Sequence, residues 1–339
     1  MNRTVVRVFI AIALTLSVVS LPSHARQTHS AFITNQDVTL AFAGDVHFEG
    51  PLKSRLSSNG LDALKPLFVH DDFAMVNLET SIGTHGNPEK KRWVFQTKAG
   101  ALQTLANAGI DAVTMANNHA IDYGSIGLRD TLNAKVHSKI PVLGIGDNLS
   151  QALKPLNVTI KGEKIAIFAF VGLPLEASTA FTWPATKTRA GLAVWTNHKS
   201  NILRAIRAAK AQGKVVIVFT HWGIEEHECP TPEQQGIARK LSDAGVDLIV
   251  GAHPHVLEGL GKLKNTVVAY SLGNFVWYSH SGVPTGILRV KIKNGHVVHY
   301  QLDPAVYGAN GIPKLATGAA KAKTLALMKT RTSCAKLAR

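Results

Sequence analysis

Short apolar runs that end in polar residues recur along this 339-residue chain, and stretches with helical spacing separate them. The run from Val215 to Phe219, for example, is apolar throughout and leads into Thr220 and His221. A strand that is apolar at every position is buried on both faces, as in a parallel or mixed sheet covered by helices. Strands that alternate with helices in this way predict an α/β fold built from βαβ crossovers.

The most informative strand end lies at 116–124, directly after the apolar run from Ala112 to Met115. It brings an amide, an imidazole and a carboxylate into one loop, at Asn118, His119 and Asp122. Loops at strand ends carry the chemistry of open α/β sheets because they can vary without disturbing the core. Two interpretations remain open: these side chains face a cleft, or the paired asparagines only form a turn and His119 caps a helix.

Potential metal ligands follow other predicted strands in the same way. Asp45 and His47 come directly after one apolar run, and His253 and His255 come after another. Carboxylate and imidazole groups together are typical ligands of first-row divalent cations. Five strand ends supply a set suited to one or two such cations: Asp45, His47, Glu79, Asn118, His119, His221, His253 and His255.

The apolar spacing also predicts the bounds of the main elements. Ile202 and Ile206 have the spacing of a helix, and Gly213 stands where that helix should end. Asn294-Gly295 between two apolar runs is typical of a hairpin turn. We expect helices at 61–70, 99–108, 125–139, 197–212 and 232–244, and strands at 37–43, 73–80, 112–115, 141–143, 164–171, 214–220, 246–250, 266–271, 286–293 and 296–302.

The segment from Met1 to Ala25 has the pattern of an export signal. Two arginines precede an apolar run from Val8 to Val19, and the small residues Ser23 and Ala25 suit signal peptidase. The run is shorter than the ~20 residues that span a bilayer, which favours cleavage over an uncleaved anchor. The mature chain is therefore predicted to be periplasmic or secreted.

The formal net charge of +15 indicates a polyanionic partner. Nucleic acid is the usual inference, but export argues instead for a membrane surface, a cell-wall polymer or an anionic capsule. We therefore expect no nucleic acid. Residues 37–303 are taken as one domain, and 304–339 as a basic tail that contains no acidic residue and forms a helix on the domain.

The chain has only two cysteines, Cys229 and Cys334. In an oxidising compartment they could pair, and we predict a disulfide that ties the basic tail to the loop after His221. The sequence alone does not give the Cα separation that such a bond requires.

A polar loop at 81–96 contains Lys90, Lys91 and Arg92 and leads into Trp93 and Phe95. We interpret it as a surface loop near the mouth of the cleft. Either it is simply solvated, or its cations and aromatic rings hold an anionic substrate.

Six blocks of residues stand at these strand ends in a fixed order: Gly44-Asp45; Asn77-Leu78-Glu79; Ala116-Asn117-Asn118-His119 with Asp122-Tyr123-Gly124; His221-Trp222-Gly223 with Glu225; Gly251 with His253-Pro254-His255; and Ser271-Leu272-Gly273-Asn274-Phe275. Together they resemble the bacterial capsule-synthesis protein family CapA, which is associated with poly-γ-glutamate capsules. The resemblance covers roughly Val38 to Ile292.

That family is similar to the calcineurin-like metallophosphoesterases, whose first block, Asp-x-His, is matched by Asp45 and His47. Those enzymes have aspartate in the second block, where this chain has the longer Glu79. The departure leaves the metal spacing and the substrate open. The fold that the resemblance implies is a four-layered α/β sandwich of mixed β-sheets flanked by helices.

The resemblance also implies a role for each site residue. One or two ions of Mn, Zn or Fe are expected at the strand ends. His119 would be the general acid, and Asp122 would either orient its imidazole or cap the following helix. Asp45, His47 and His255 would hold one ion, Asn118, His221 and His253 the other, with Glu79 between them, while Phe95, Glu225 and Asn274 would contact substrate.

Two function classes follow. The first is an exported metal-dependent hydrolase that acts on a phosphoester or on an amide bond of an anionic γ-linked polymer. The second is a non-catalytic accessory protein that uses the metal for structure and carries capsule polymer or docks a capsule synthase.

Overall fold

The computed structural model describes residues 37–173, 183–280 and 282–338. The predicted export segment, Met1 to Ala25, lies outside the described residues. Strands in the described ranges are β1 (Val38–Val46), β2 (Phe73–Leu78), β3 (Ser81–Ile82), β4 (Gln96–Thr97), β5 (Ala112–Thr114), β6 (Val142–Leu143), β7 (Ile145–Gly146), β8 (Leu156–Ile160), β9 (Glu163–Gly172), β10 (Gly191–Leu192), β11 (Val215–Trp222), β12 (Leu248–Ala252), β13 (Leu260–Leu263), β14 (Thr266–Ala269), β15 (Asn274–Val276), β16 (Val283–Lys293), β17 (His296–Tyr307) and β18 (Lys314–Leu315).

Helices alternate with these strands, as predicted. Within the described ranges they are α1 (Lys65–Phe68), α2 (Gly100–Asn107), α3 (Gly124–Val136), α4 (Leu149–Ala152), α5 (Trp195–Ala211), α6 (Pro232–Asp243) and α7 (Gly318–Cys334). None of the described helices is both long enough and apolar enough to span a bilayer.

Two large mixed sheets form the frame. The first has the order β18-β17-β16-β1-β2-β5-β6, with β15 added beside β1, and the second has the order β13-β14-β12-β11-β9-β8. The central strands of both sheets are parallel, whereas β16, β17 and β18 in the first sheet and β8 and β13 in the second join antiparallel. The mixed α/β architecture expected from the sequence is confirmed.

The two sheets pack face to face, and helices cover their other sides. Phe42 of β1 meets Phe219 of β11 edge to face, with ring centroids 6.3 Å apart. Every residue of β2 and of β11 is buried, which explains why these strands are nearly continuous apolar runs. The buried faces of α5 and α6, which include Ile202 and Ile237, form a second core with the opposite face of the second sheet.

Local sequence signals set two of the element ends clearly. Thr231 caps α6 in a reciprocal capping box with Gln234. Asn294 and Gly295 both have positive φ, at 53° and 76°, and form the predicted hairpin turn between β16 and β17.

The helix predicted at 61–70 is wrong. The segment instead contains a short 3-10 turn at Asp62–Leu64 and the single turn of α1. Pro66 stands at the start of α1, where its missing N–H is tolerated, but it cannot donate a bond to a turn before it. The segment therefore does not form the one continuous helix that was predicted.

The C-terminal segment is bound closely to the rest of the fold. The strand β17 runs past residue 304 to Tyr307, and α7 then packs against β17 and β13. The predicted disulfide is confirmed, since Cys229 and Cys334 are bonded with their Cα atoms 5.9 Å apart. Arg331 of α7 adds an ion pair to Glu228, 2.6 Å away, in the loop after β11.

A buried acid lies beneath this loop and gives stability a pH dependence. Glu258 is fully buried and accepts a hydrogen bond of 2.8 Å from Gln234 Nε2. Burial raises its pKa from 4.5 to about 8, although Gln234 and the charge on Arg331 oppose that change. The folded state therefore favours the neutral carboxyl. The contribution of Glu258 to the free energy of unfolding is complete below pH 4.5, where the carboxyl is neutral in both states. It is lost as the pH rises through about 8.

We expect the free energy of unfolding of the wild-type protein to fall as the pH rises across this range, by at most roughly 1.4 kcal/mol per pH unit. Glu258→Gln should remove the part of that slope that comes from Glu258, because its amide does not ionise. Denaturant unfolding at several pH values between 5 and 9 measures both slopes. Glu233→Gln, an exposed change on α6, serves as the control, and equal slopes in all three proteins would contradict the assignment.

A close backbone approach positions the first strand end. A Cβ on Gly44 would lie 1.7 Å from the carbonyl oxygen of Gly273, so only glycine fits. The next residue, Asp45, donates its N–H to that same oxygen at 3.0 Å. The contact joins the first and last sequence blocks, and it places Asp45 beside Asn77 of β2 and Asn274 of β15 in register.

Candidate metal centre

The carboxyl ends of parallel strands from both sheets meet at one site. Asp45 stands near the end of β1, Glu79 directly follows β2, and His221 lies near the end of β11. His253 and His255 follow β12. Parallel strands bring their carboxyl ends to the same edge of a sheet, which explains how residues far apart in sequence converge here.

Glu79 is the centre of the arrangement. Potential ligand atoms of Glu79, His221 and His253 all lie within 4.8 Å of one another, and so do those of Asp45, Glu79 and His255. Glu79 Oε1 is 3.6 Å from His221 Nε2 and 3.9 Å from His255 Nε2. One carboxylate is thus shared by two groups of three potential ligands.

The chemistry of this site fits a bound cation. Glu79 is 0% exposed, yet neither of its carboxylate oxygens has a hydrogen-bond partner among the described residues. Burial, with the nearby charge of Asp45, raises the pKa of Glu79 well above its ordinary value. Buried carboxylates without partners are costly, and a divalent cation would satisfy both oxygens.

The imidazoles around Glu79 are suited to metal binding. Burial lowers the pKa of both His221 and His253, so each favours the neutral form that metals require. His255 is different: burial opposes its charged form, but Glu79, Asp45 and Glu225 together raise its pKa to about 10. The carboxylates therefore create a field that favours positive charge at this point.

Asn118 and His47, two further residues of the expected ligand set, lie outside both groups of three. Asn118 Oδ1 is 2.7 Å from His221 Nε2, which in turn is 3.0 Å from His253 Nδ1. These three atoms converge on the side of the site where one ion was expected. His47 is buried, and its Nε2 has no hydrogen-bond partner within the part of the chain that the structure describes.

His119, the expected general acid, lies beside the centre. His119 Nε2 is 3.7 Å from Glu79 Oε1, and His119 Nδ1 is 2.6 Å from Asp122 Oδ2. Asp122 also accepts the N–H of Phe95 at 2.6 Å, while Tyr123 is the N-cap residue of α3. The geometry favours the orienting role for Asp122 over the helix-capping alternative.

The model of the family described as "Bacterial capsule synthesis protein PGA_cap" matches residues 39–279, which include every potential ligand described above. The chain belongs to this family. The PGA_cap region runs from β1 to just after β15, and so it contains the whole second sheet and the part of the first sheet that precedes β16.

Curated relatives agree with this membership. The chain is 31% identical over 247 residues to "PGA biosynthesis protein CapA" of Bacillus subtilis, a match that covers 71% of this chain and 63% of that protein. It is 29% identical over 255 residues to "Capsule biosynthesis protein CapA" of Bacillus anthracis, covering 72% and 60%. The chain therefore spans less than two thirds of the length of these relatives.

A solved structure supports the fold alone. The crystal structure of a hypothetical protein from Thermus thermophilus matches with a TM-score of 0.52 and 16% identity, and it covers 80% of this chain and 100% of that one. With the PGA_cap match, it supports the metallophosphoesterase-like α/β fold expected from the sequence blocks.

Two asparagines of the PGA_cap blocks, to which the sequence assigned no role, hold the site residues in place. Asn77 Nδ2 donates to Asp45 Oδ1 at 2.7 Å and lies 3.2 Å from His221 Nδ1. Asn117 donates to Asn77 Oδ1 and accepts the N–H of His119, both at 3.0 Å. Their positions at the strand ends, beside the expected ligands, could have indicated this role in the sequence. Buried amides commonly link neighbouring polar groups.

Most residues from Thr84 to Trp93 are exposed, as expected for a surface loop, but Lys91 turns inward. Its side chain is only 8% exposed and forms an ion pair with Asp122. Its Nζ donates to the carbonyl of Asn118 at 2.8 Å and lies 3.3 Å from His119 Nδ1. The sequence does not indicate which residue of the run Lys90, Lys91 and Arg92 turns inward, because that depends on the position of Asp122 in the folded protein.

The residues expected to contact substrate occupy different positions. Phe95 stacks between His119 and His47, at centroid distances of 4.1 and 4.9 Å, and so forms one wall of the site. Asn274 is buried and contacts His255 Nδ1 at 2.7 Å and the Tyr307 hydroxyl at 3.2 Å. These contacts favour a role for Asn274 in orienting His255.

Trp277 extends the aromatic wall. Its ring centroid lies 3.9 Å from that of His47 and 4.9 Å from that of His255. Sequence reasoning did not single it out, because an isolated tryptophan after a strand has no distinguishing pattern.

Proposed function

We propose that this chain is a metal-dependent hydrolase whose centre is built around Glu79. The observation that carries the proposal is the position of this carboxylate, fully buried without a hydrogen-bond partner among the described residues and shared by two groups of potential ligands. Divalent ions bound there would act as Lewis acids that polarise the scissile group and activate water.

The surrounding residues divide the remaining work. Asp45, Glu79 and His255 would hold one ion, and Glu79, His221 and His253 the other, with Asn118 beside His221 and His47 beside the first group. His119 presents Nε2 toward Glu79 and would donate a proton to the leaving group. Asp122 fixes the orientation of that imidazole through Nδ1, and Lys91 balances the charge of Asp122.

An anionic substrate is supported by charge and by the relatives. The net charge is +15, and exposed Arg92 lies over the ring of exposed Trp93, 5.2 Å from its centroid. The names of the Bacillus relatives refer to PGA and capsule biosynthesis. We therefore propose a role in capsule or poly-γ-glutamate biosynthesis, with a phosphoester or a γ-linked polymer as substrate.

The cellular setting follows as part of the same proposal. We propose that the chain is exported, that it works in the periplasm or outside the cell near a membrane surface, and that it meets components of a capsule synthase. Nucleic acid is not expected as a partner.

A second function has one observation in its favour. A relative from Mycobacterium tuberculosis, 26% identical over 213 residues, bears the name "Probable polyglutamine synthesis accessory protein". An accessory protein could use the ion for structure and its basic surface to carry polymer, with no bond broken.

Incubation of the purified protein with candidate substrates separates these two functions. Protein loaded with Mn²⁺, Zn²⁺ or Fe²⁺ would be assayed on phosphomonoesters, phosphodiesters and poly-γ-glutamate. We expect hydrolysis of at least one class, which is lost when the ions are removed. Stoichiometric metal binding without hydrolysis of any of them would favour the accessory function.

A further inference from the structure

One carboxylate outside the ligand set implied by the family lies against the metal centre. Potential ligand atoms of Glu225, His253 and His255 all lie within 4.8 Å of one another. Glu225 is exposed, whereas His253 is buried and His255 is half-buried. It therefore lies on the open side of the centre, whereas Glu79 is fully buried.

The backbone of the loop after β11 holds Glu225 in this position. The chain turns at Gly223, where φ is +91° and an added Cβ would lie 2.7 Å from the side chain of Gln234. Glu226, with φ of +60°, then donates its N–H to the carbonyl of Pro254 at 2.9 Å. Pro254 stands between His253 and His255, so this bond ties the loop directly to the two histidines.

The far end of the same loop is fixed as well. Cys229 is bonded to Cys334, and Glu228 pairs with Arg331 at 2.6 Å, so α7 anchors the loop twice. Positive φ at a residue other than glycine is strained, and it persists only where surrounding contacts enforce it. A loop held at both ends with such geometry in its middle is typical of a functional site.

Glu225 and Glu79 share two neighbours in the centre. Each offers a potential ligand atom within 4.8 Å of one on His253 and of one on His255. Glu79 in turn has both oxygens buried and unpartnered among the described residues, so a cation is expected in the space that these side chains surround.

We propose that Glu225 is an additional metal ligand, which binds on the His253 and His255 side of the centre. The inference rests on the proposed function. A third carboxylate besides Asp45 and Glu79 would raise the affinity of the centre for divalent ions and lower its net positive charge. Oxygen ligands on the open side also suit ions such as Mn²⁺.

Titration of Mn²⁺ into the metal-free protein, followed by isothermal calorimetry, tests the proposal. Glu225→Gln keeps the size of the side chain and removes its charge, and we expect it to weaken Mn²⁺ binding roughly 10- to 100-fold. Glu226→Gln is the matched control, because Glu226 is adjacent, exposed and in none of the three groups. It should bind like the wild type.

The possible outcomes distinguish this inference from the proposed function. If wild-type protein and Glu225→Gln bind Mn²⁺ with equal affinity and stoichiometry, this inference is overturned while the proposed function stands. If the wild type binds no Mn²⁺, Zn²⁺ or Fe²⁺, both are overturned. Circular dichroism confirms folding, and Glu225→Asp, which retains a shorter carboxylate, should fall between the wild type and Glu225→Gln.

Discussion

Replacing Glu79 by alanine is expected to remove hydrolysis below detection and to lower the metal content of the purified protein. Glu79 is the carboxylate shared by both ligand groups, so its loss affects both positions at once. With fewer ligands, a divalent ion exchanges readily, and imidazoles freed from it can take up protons. Metal content by mass spectrometry and turnover on the best substrate are the two measurements.

Controls separate this effect from a loss of folding. Glu79→Gln preserves side-chain volume and should lose metal almost as fully as Glu79→Ala. Glu258→Gln changes another fully buried glutamate, which belongs to none of the ligand groups, and should retain the metal. A Glu79→Ala protein with normal metal content and turnover would show that this carboxylate is not part of the centre.

Replacing His119 by alanine should also lower turnover, by a factor on the order of 10² to 10⁴, but it should leave the metal content near normal. His119 reaches the centre through Nε2 and is fixed by Asp122 through Nδ1, as expected for a positioned proton donor. Burial lowers the pKa of His119, although the hydrogen bond and charge of Asp122 oppose the change.

The substrate provides the sharpest control for this prediction. A substrate with a good leaving group needs little protonation, so His119→Ala should lose less activity on it than on one with a poor leaving group. Asp122→Asn should behave similarly, because it removes the negative charge beside Nδ1 and replaces one of the two acceptor oxygens by a donor. If His119→Ala keeps full activity on both substrates while Glu79→Ala is inert, the proton donor is a different group.

The strand-end residues were predictable because two regularities coincide. Parallel strands deliver their carboxyl ends to one edge, and the polar residues at those ends stand out against apolar runs. Asp45, Glu79, His221, His253 and His255 all follow this pattern and meet in the structure. The hairpin at Asn294-Gly295 was predictable for a similarly local reason, since both residues favour positive φ.

The features that were not predictable depend on tertiary contacts. Lys91 turns inward because Asp122 lies beneath it, and nothing near it in sequence distinguishes it from Lys90. Glu258 is buried next to Gln234, which lies 24 residues before it. Pro66 interrupts the helix predicted at 61–70, because apolar spacing alone gives no weight to a missing backbone donor.

The most direct test of a metal-dependent hydrolase is turnover of the wild-type protein before and after removal of its ions. The protein would be treated with a chelator, assayed, supplied again with Mn²⁺, Zn²⁺ or Fe²⁺, and assayed a second time on the same substrate. We expect turnover to disappear with the ions and to return when one of them is restored. Turnover that is unchanged after complete removal of the ions would contradict a metal-dependent reaction at this centre.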